Sequence, residues 1–533
     1  MAITVTPISS LTKIFSSAAP SELSEAKRLS LLTGEKSGVQ FAVFSDEDAD
    51  AAVRTECPLP VLTGYVREIY SDKAYVDNRP ENCTVLNNAE VGYYPDLIVP
   101  VSPSLRLEKG KTLGVYCEVN GEKSGTFTLR LTVGDASAEV EVYVSKEKEP
   151  KQTLMCTNWF HSDCIMSYYG LEVFGREYWR ITENFVRNAV AHGINMILTP
   201  IFTLALDTEE GAERPTVQLI DVTTDGENYS FGYENFDRWV KMCLDCGVEY
   251  FEISHLFTQW GAKHAPKIIA HTPTGTHRIF GWETDSVSEE YTAFLRALGE
   301  SFKEHTDKLG ITDICYVHCS DEPGADDIET YRKTAATVKK YFSAYTHLDA
   351  LSEYSYYEEG LVDLPVPSEG AIDDFKGRVD RLWTYYCCGP FDNEYPNRFL
   401  FLPLIKMRII GVLLYKYGCE GFLHWGFNFW YAQFSRRPVD PFTETTAGGN
   451  FPAGDGFIVY PGEGGEPMCS VREKSFRDAV SDYEKLKLLE RKKGAEHVRE
   501  FIKHTLGDIT FTSYPLDESV FLEFAERLVK ELE

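Results

Sequence analysis

At 533 residues the chain is too long for one ordinary domain, and a hydrophobic share of 43% is ample for more than one core. A formal net charge of −29 argues against nucleic acid and against an anionic membrane surface, because both need a basic face. No apolar run approaches the length of a membrane span, and MAITVTPISS does not open a signal peptide, so a cytoplasmic protein is expected.

In chain order, the first thirty residues are expected to be an irregular or helical lead-in. From 35 to 146 the sequence looks all-β. VQFAVFSDED, LPVLTGYVREIY, LGVYCEVNG, GTFTLRLTVGD and SAEVEVYVS are short β-branched or aromatic runs, parted by turns such as Asn120-Gly121 and Gly134-Asp135. Their spacing predicts an all-β sandwich domain over residues 1–150, ended by the charged segment KEKEPKQ.

The rhythm then changes to strand-like runs alternating with amphipathic helices. The strand candidates are TLMCTNWF, NMILTPI, VEYFEISHL, ICYVHCSDEP, THLDALSEY, RVDRLWTYYC, GFLHWGFNFW and GFIVYPG. Helices are expected near EYWRITENFVRNAVAHG, ENFDRWVKMCLDCG, SEEYTAFLRALGESFKEHTDKLG, DDIETYRKTAATVKKYF, FLPLIKMRIIGVLLYKYG and SVREKSFRDAVSDYEKLKLLERKKG. Such alternation calls for a parallel sheet with helical crossovers, and the count favours a (β/α)8 TIM-type barrel over residues 151–500. Residues 501–533 are expected to be a short C-terminal extension.

The fourth strand candidate ends in two adjacent carboxylates, Asp321 and Glu322, followed by Pro323. Acids before a proline also make a good helix start, so the motif alone favours that structural reading. Its place weighs the other way, because active sites of these barrels sit where strands end and βα loops begin. Glycosidic bond cleavage needs two carboxylates, but neighbours in the chain cannot easily flank a bond from opposite sides. They fit the variant in which the sugar's own 2-acetamido group attacks the anomeric carbon, one carboxylate orienting that amide and the other acting as acid and then base.

Other strand ends carry groups suited to a sugar: Trp159 and His161 after the first strand, His255 after the third, Tyr385 after the sixth, and Trp425, Asn428 and Trp430 in the seventh. Each alone is explained by packing; together they suggest a carbohydrate cleft, and the 13% aromatic content agrees. The thirteen cysteines are odd in number, and Cys315, Cys319 and Cys419 lie in apolar runs, which predicts buried free thiols. Cys243-x-x-Cys246 falls on a helix with no second such pair, and Cys387-Cys388 is a loop pair with no nearby histidine. There is no nucleotide-binding glycine motif, H-E-x-x-H or G-x-S-x-G, so no metal and no cofactor is predicted.

CYVHCSDEP, LWTYYCCGP, the run PLIKMRIIGVLLYKYGCEGFLHWGFNFW, and DGFIVYPG with SVREKSFRDAVSDYE resemble the catalytic domain of glycoside hydrolase family 123, in the family's order across most of residues 155–490. The resemblance implies a β-N-acetylgalactosaminidase that retains configuration by substrate assistance. It implies that Asp321 orients the acetamido group, that Glu322 is the general acid/base, and that Trp425, Asn428 and Trp430 contact sugar. The implied partner is an oligosaccharide or glycoconjugate, and the chain is left open as monomer or homo-oligomer. Two alternatives stand beside this reading: a glycosidase with a distant nucleophile such as Glu252 or Glu420, and a noncatalytic glycan-binding barrel.

Overall fold

The computed structural model describes residues 2–74 and 83–533. Two five-stranded sheets form the N-terminal all-β region. One runs in the order Ile3–Ile8, Lys36–Ser45, Thr112–Asn120, Val61–Ser71, Gly92–Pro100; the other runs Arg28–Thr33, Ala136–Lys148, Gly125–Val133, Ala49–Glu56, Ser104–Leu107. Phe41, Val43 and Val115 of the first sheet meet Leu129, Leu131 and Val142 of the second in one buried cluster. The expected lead-in is a difference: Ile3–Ile8 and Arg28–Thr33 are strands, one in each sheet. Ile3–Ile8 pairs with Lys36–Ser45, a partner that local sequence does not reveal.

Eight short parallel strands follow: Met155–Asn158, Met196–Thr199, Tyr250–Ile253, Cys315–Val317, Thr346–Ala350, Leu364–Val366, Trp383–Tyr385 and Gly421–His424. Consecutive strands pair along the chain, and the eighth returns to the first with Met155 opposite Gly421. Between the sixth and seventh no ladder forms beyond an isolated bridge between Ser368 and Tyr385, so the barrel is nearly closed. Buried nearly end to end, as parallel strands between helices are, they read as continuous apolar runs.

Eight barrel strands are expected and eight are present, but one expected strand lies outside the barrel and another takes its place. The sixth strand is LPV at Leu364–Val366, which Pro365 and Pro367 make look like a breaker. Proline is tolerated there because this strand flanks the open seam. GFIVYPG is not the eighth strand: Val459–Pro461 forms a hairpin with Pro467–Cys469 in the excursion after the barrel closes. Tyr385 therefore ends the seventh strand, and Trp425 follows the eighth.

Six expected helices are present, among them Arg176–Ala191, Glu234–Cys246, Glu289–Leu309 and Ile328–Tyr341. The longest, Val471–Lys493, is buried at every position from Val471 to Leu486 except Arg477. It lies between barrel and sandwich, and a Cβ on Gly411 would come within 1.9 Å of the Ala479 carbonyl on this helix. Inside the barrel, Met155, Tyr316, Leu348, Leu364 and Trp383 fill the lumen. Gly421 makes room for the Trp383 ring, which a Cβ there would meet at 2.0 Å. Two C-terminal helices, Ala495–Leu506 and Glu518–Glu531, complete the chain. Among the described residues no helix is long and apolar enough to cross a membrane.

Candidate active site

Asp321 and Glu322 do not cap a helix. The next α-helix begins only at Ile328, and one 3-10 turn, Ala325–Asp327, stands between. Both acids lie instead in the loop just past the fourth strand, where the backbone turns over the barrel mouth. Glu322 has φ 44°, a left-handed conformation that costs a non-glycine residue of order 1–3 kcal/mol. Backbone bonds hold the turn: Glu322 N–H donates to the Ala350 carbonyl at 3.0 Å, and Trp260 N–H donates to the Asp321 carbonyl at 2.8 Å. Trp260, Asp207 and Phe434 also have positive φ, at 57°, 44° and 61°. Left-handed non-glycine residues are thus concentrated around this mouth.

The acids line a cavity of about 150 Å³ together with Trp159, Trp260, Tyr385, Cys387 and Trp425. The Tyr385 hydroxyl donates to Glu322 Oε1 at 2.5 Å, and the Cys387 sulfur lies 4.0 Å from the same oxygen. Among the described residues nothing hydrogen-bonds the Asp321 carboxylate. Asp321 keeps part of its surface open to the cavity, yet its walls crowd it closely. That desolvation, and the neighbouring Glu322 charge, push its carboxyl well above the ordinary aspartate range. Asp207, on the opposite rim, is raised to about 6 by burial, although the Phe434 N–H bonds its Oδ2 at 2.9 Å.

A chain of buried polar groups lies under the pair. Glu252 projects into the barrel and is fully buried; its Oε2 takes the Thr157 hydroxyl at 2.5 Å, and its Oε1 takes the Trp159 indole N–H at 2.7 Å and His318 Nε2 at 2.5 Å. His318 Nδ1 reaches Asp349 Oδ1 at 3.0 Å. Burial opposes a charge on His318, but the bonds to Asp349 and Glu252 outweigh it and lift the imidazole to about 9. Asp349 also receives the backbone N–H of Cys319 at 3.0 Å and of Ser320 at 3.2 Å, and so anchors the segment that carries the acids. The site is therefore two open carboxylates over a buried imidazolium flanked by two bound carboxylates.

Trp159, Tyr385 and Trp425 stand at the cavity as expected, and the Trp425 indole is oriented by Asp455 Oδ2 at 3.0 Å. His255, Asn428 and Trp430 do not. His255 is 3% exposed and stacks on His318 with ring centroids 4.2 Å apart, beneath the cleft. Asn428 spends its amide on the His161 backbone, accepting at 2.9 Å and donating at 3.0 Å. Trp430 is 1% exposed and packs on Tyr168 and Phe185. The strand ends at His424, so the later aromatics of HWGFNFW no longer alternate between cleft and core.

Trp260 was not foreseen. Its ring is 44% exposed at the cavity rim, edge-on to Phe434 at 6.1 Å. The signal was present in HLFTQWGAK, five residues beyond His255, but lay in a loop with no period. Glu252 offers no free oxygen, and Glu420 sits before the eighth strand, at the other end of the barrel, paired with Arg381 at 2.9 Å. A larger cavity of about 660 Å³ beside Glu420, Lys487 and Arg499 shares that end. All thirteen cysteines are free thiols.

Two groupings among the described residues have metal-ligand chemistry: His192 with Cys469 and Glu473, and Cys319 with His347 and Asp349. In the first, Lys474 Nζ lies 2.9 Å from His192 Nε2, where a metal would have to bind. In the second, Asp349 is already held by His318 and the Tyr331 hydroxyl.

This is a parallel-barrel enzyme site of the glycoside hydrolase kind, with paired carboxylates at a strand end and indoles around them. A model of Glycoside hydrolase 123, catalytic domain matches residues 159–489, more than half of the chain, so the chain belongs to glycoside hydrolase family 123. Its structure superposes on that of a family 123 glycoside hydrolase from Clostridium perfringens with a TM-score of 0.76 at 15% identity, covering 100% of this chain and 98% of that one. A family 5 mannosidase from Rhizomucor miehei (TM-score 0.35, 10% identity, 63% of this chain and 94% of that one) and a family 2 member from Bacteroides cellulosilyticus (0.30, 9%, 82% and 48%) are far less similar. No match to a curated protein sequence was found. Family membership supports glycosidase activity on a glycan substrate.

Proposed function

We propose that this glycosidase removes terminal β-linked 2-acetamido sugars, N-acetylgalactosamine foremost, with retention and by substrate assistance. The observation that carries the proposal is the adjacency of Asp321 and Glu322 at the cavity, one carboxylate unbonded and the other held by Tyr385. Glu252, the alternative protein nucleophile under the cleft, is engaged at both oxygens.

In this reading the acetamido N–H meets Asp321. As the amide oxygen attacks the anomeric carbon, positive charge grows on the amide. A carboxylate made uncomfortable by desolvation and by Glu322 gains most from such a partner, so the attraction is larger in the transition state than in the ground state. Glu322 gives its proton to the leaving oxygen and later takes one from water. Tyr385, donating to Glu322 Oε1, fixes which oxygen faces the bond. Trp159 and Trp425 supply apolar faces for the sugar ring, and Trp260 at the rim faces the departing group.

The test is a panel of aryl β-glycosides with and without the 2-acetamido group, followed by inhibition with an oxazoline mimic. The relative from C. perfringens is described in terms of glycolipid glycan hydrolysis, so a glycolipid headgroup belongs in the panel. Turnover restricted to the acetamido sugars, with tight inhibition by the mimic, is the expected result. Strong activity only on sugars lacking that group would overturn the reading. Binding without turnover across the panel would favour a glycan-binding role.

A further inference from the structure

The wall beside Glu322 carries two thiols from adjacent residues, and the reaction proposed above uses neither. Cys387 and Cys388 both line the cavity. Their sulfurs are 3.7 Å apart, and Cys387 Sγ also donates to the Gly389 carbonyl at 3.4 Å. Cys388 is exposed to solvent, whereas Cys387 lies deeper, 4.0 Å from Glu322 Oε1. No other pair of cysteines meets at this cavity.

We infer that Cys387 and Cys388 form an oxidisable dithiol site, and that their bonding to each other reshapes the catalytic wall. Adjacent Cα atoms are about 3.8 Å apart, shorter than the span of about 4.4–6.8 Å found for most disulfides, so the bond would be strained and readily reduced. The exposed sulfur reacts first. With a peroxide as oxidant, Cys388 thiolate attacks one peroxide oxygen, the O–O bond breaks, and Cys388 becomes a sulfenic acid. Cys387 sulfur then attacks Cys388 sulfur, the S–O bond breaks, and the departing hydroxide leaves as water with the Cys387 proton. Two thiols lose two electrons and two protons, and hydrogen peroxide is reduced to two waters. Closing 3.7 Å to a covalent bond, about 2 Å, brings the two sulfurs about 1.7 Å closer together next to the proposed acid/base. A displacement of that size beside reacting atoms costs up to about a hundredfold in rate.

The effect on turnover rests on the proposed active site; formation of the bond does not. The experiment exposes the full chain to limiting hydrogen peroxide, then digests it with trypsin without reduction. Residues 382–398 form one tryptic peptide that holds both thiols and no other cysteine. The expected result is a peptide lighter by two hydrogens, a loss of turnover of about tenfold or more, and recovery with dithiothreitol. Cys388→Ser and Cys387→Ser should each lose the two-hydrogen mass loss of the peptide, Cys387→Ser stopping at a sulfenic acid one oxygen heavier. A wild-type peptide that stays reduced, or that gains only oxygens, overturns the inference. So does a disulfide that leaves turnover unchanged. If no glycoside is turned over, the proposed reaction fails by itself and the peptide mass still decides the bond.

Discussion

At the seam between the sandwich and the helix Val471–Lys493, buried carboxylates are met by cations. Arg472 bonds both oxygens of Asp96 at 2.9 Å, Arg408 holds Asp478 at 2.7 Å and Asp482 at 2.6 Å, and Lys485 reaches Glu35 at 2.5 Å. At the barrel mouth Asp321 has no such partner. Burial acts on both places alike, but Arg477 and Lys474 overcome it for Glu118 and hold that carboxyl far below the usual range. For Asp321 the nearest charge is another carboxylate, and the shift goes up. The seam neutralises charge to hold two domains together, whereas the mouth leaves charge unsatisfied for a ligand to complete.

The strongest way to break this contrast is at the mouth. Glu322→Gln and Asp321→Asn should each lower kcat/KM on an aryl β-2-acetamido glycoside by about 10²- to 10⁴-fold. Glu322→Gln should suffer less when the leaving group is very good, while Asp321→Asn should suffer alike with all leaving groups. Equal, mild losses on every substrate would end the role assignment. The stability of Asp321→Asn tests the electrostatics separately. Because its folded carboxyl is raised, wild type is favoured at low pH and loses stability as pH rises from the ordinary value of 3.8 through the raised one. Urea unfolding of Asp321→Asn should therefore show a higher midpoint than wild type at neutral pH, with the gap closing near pH 4.

At the seam, Arg472→Ala should behave in the opposite sense, destabilising by about 3–5 kcal/mol because it strands buried Asp96. The double change Arg472→Met with Asp96→Leu should recover much of that loss. A double mutant as unstable as the single one would show that the pair itself, and not the stranded charge, holds the seam.

Between these extremes lies His318, buried as deeply as the seam charges but located under the mouth. Its raised value means that its stabilisation is full below about 6.5 and is lost as pH climbs through about 9. The urea midpoint of wild type should fall over that window, and the fall should shrink in Glu252→Gln, which weakens one of the two bonds that raise it. The smallest effect is expected at Trp260→Ala, which should raise KM about two- to tenfold through lost stacking. Its thermal midpoint should stay near that of wild type, since the ring is 44% exposed.

The acid pair was legible because two features coincide in one stretch: an apolar run long enough for a strand and a polar break just after it. The free cysteines and the six amphipathic helices were legible for similar local reasons. The sixth strand was not, because Pro365 and Pro367 are breakers everywhere except beside an open barrel seam. Nor was the division of the aromatics after His424 into Trp425 at the cleft and Trp430 in the core.

The sequence by itself determined the all-β character of residues 35–146, the alternation of strands and helices that follows, seven of the eight barrel strands, and the position of Asp321 and Glu322 at a barrel strand end. Local periodicity and turn chemistry carry that information, and neither depends on distant contacts. Only the tertiary structure decided that Glu252 is bound, that Asp321 is unbonded, that His255 and Asn428 are withdrawn, and that Trp260 and two thiols enter the wall. Those outcomes depend on side-chain direction in loops, where no repeat ties a residue to a face. They also depend on charges brought together from strands far apart in the chain.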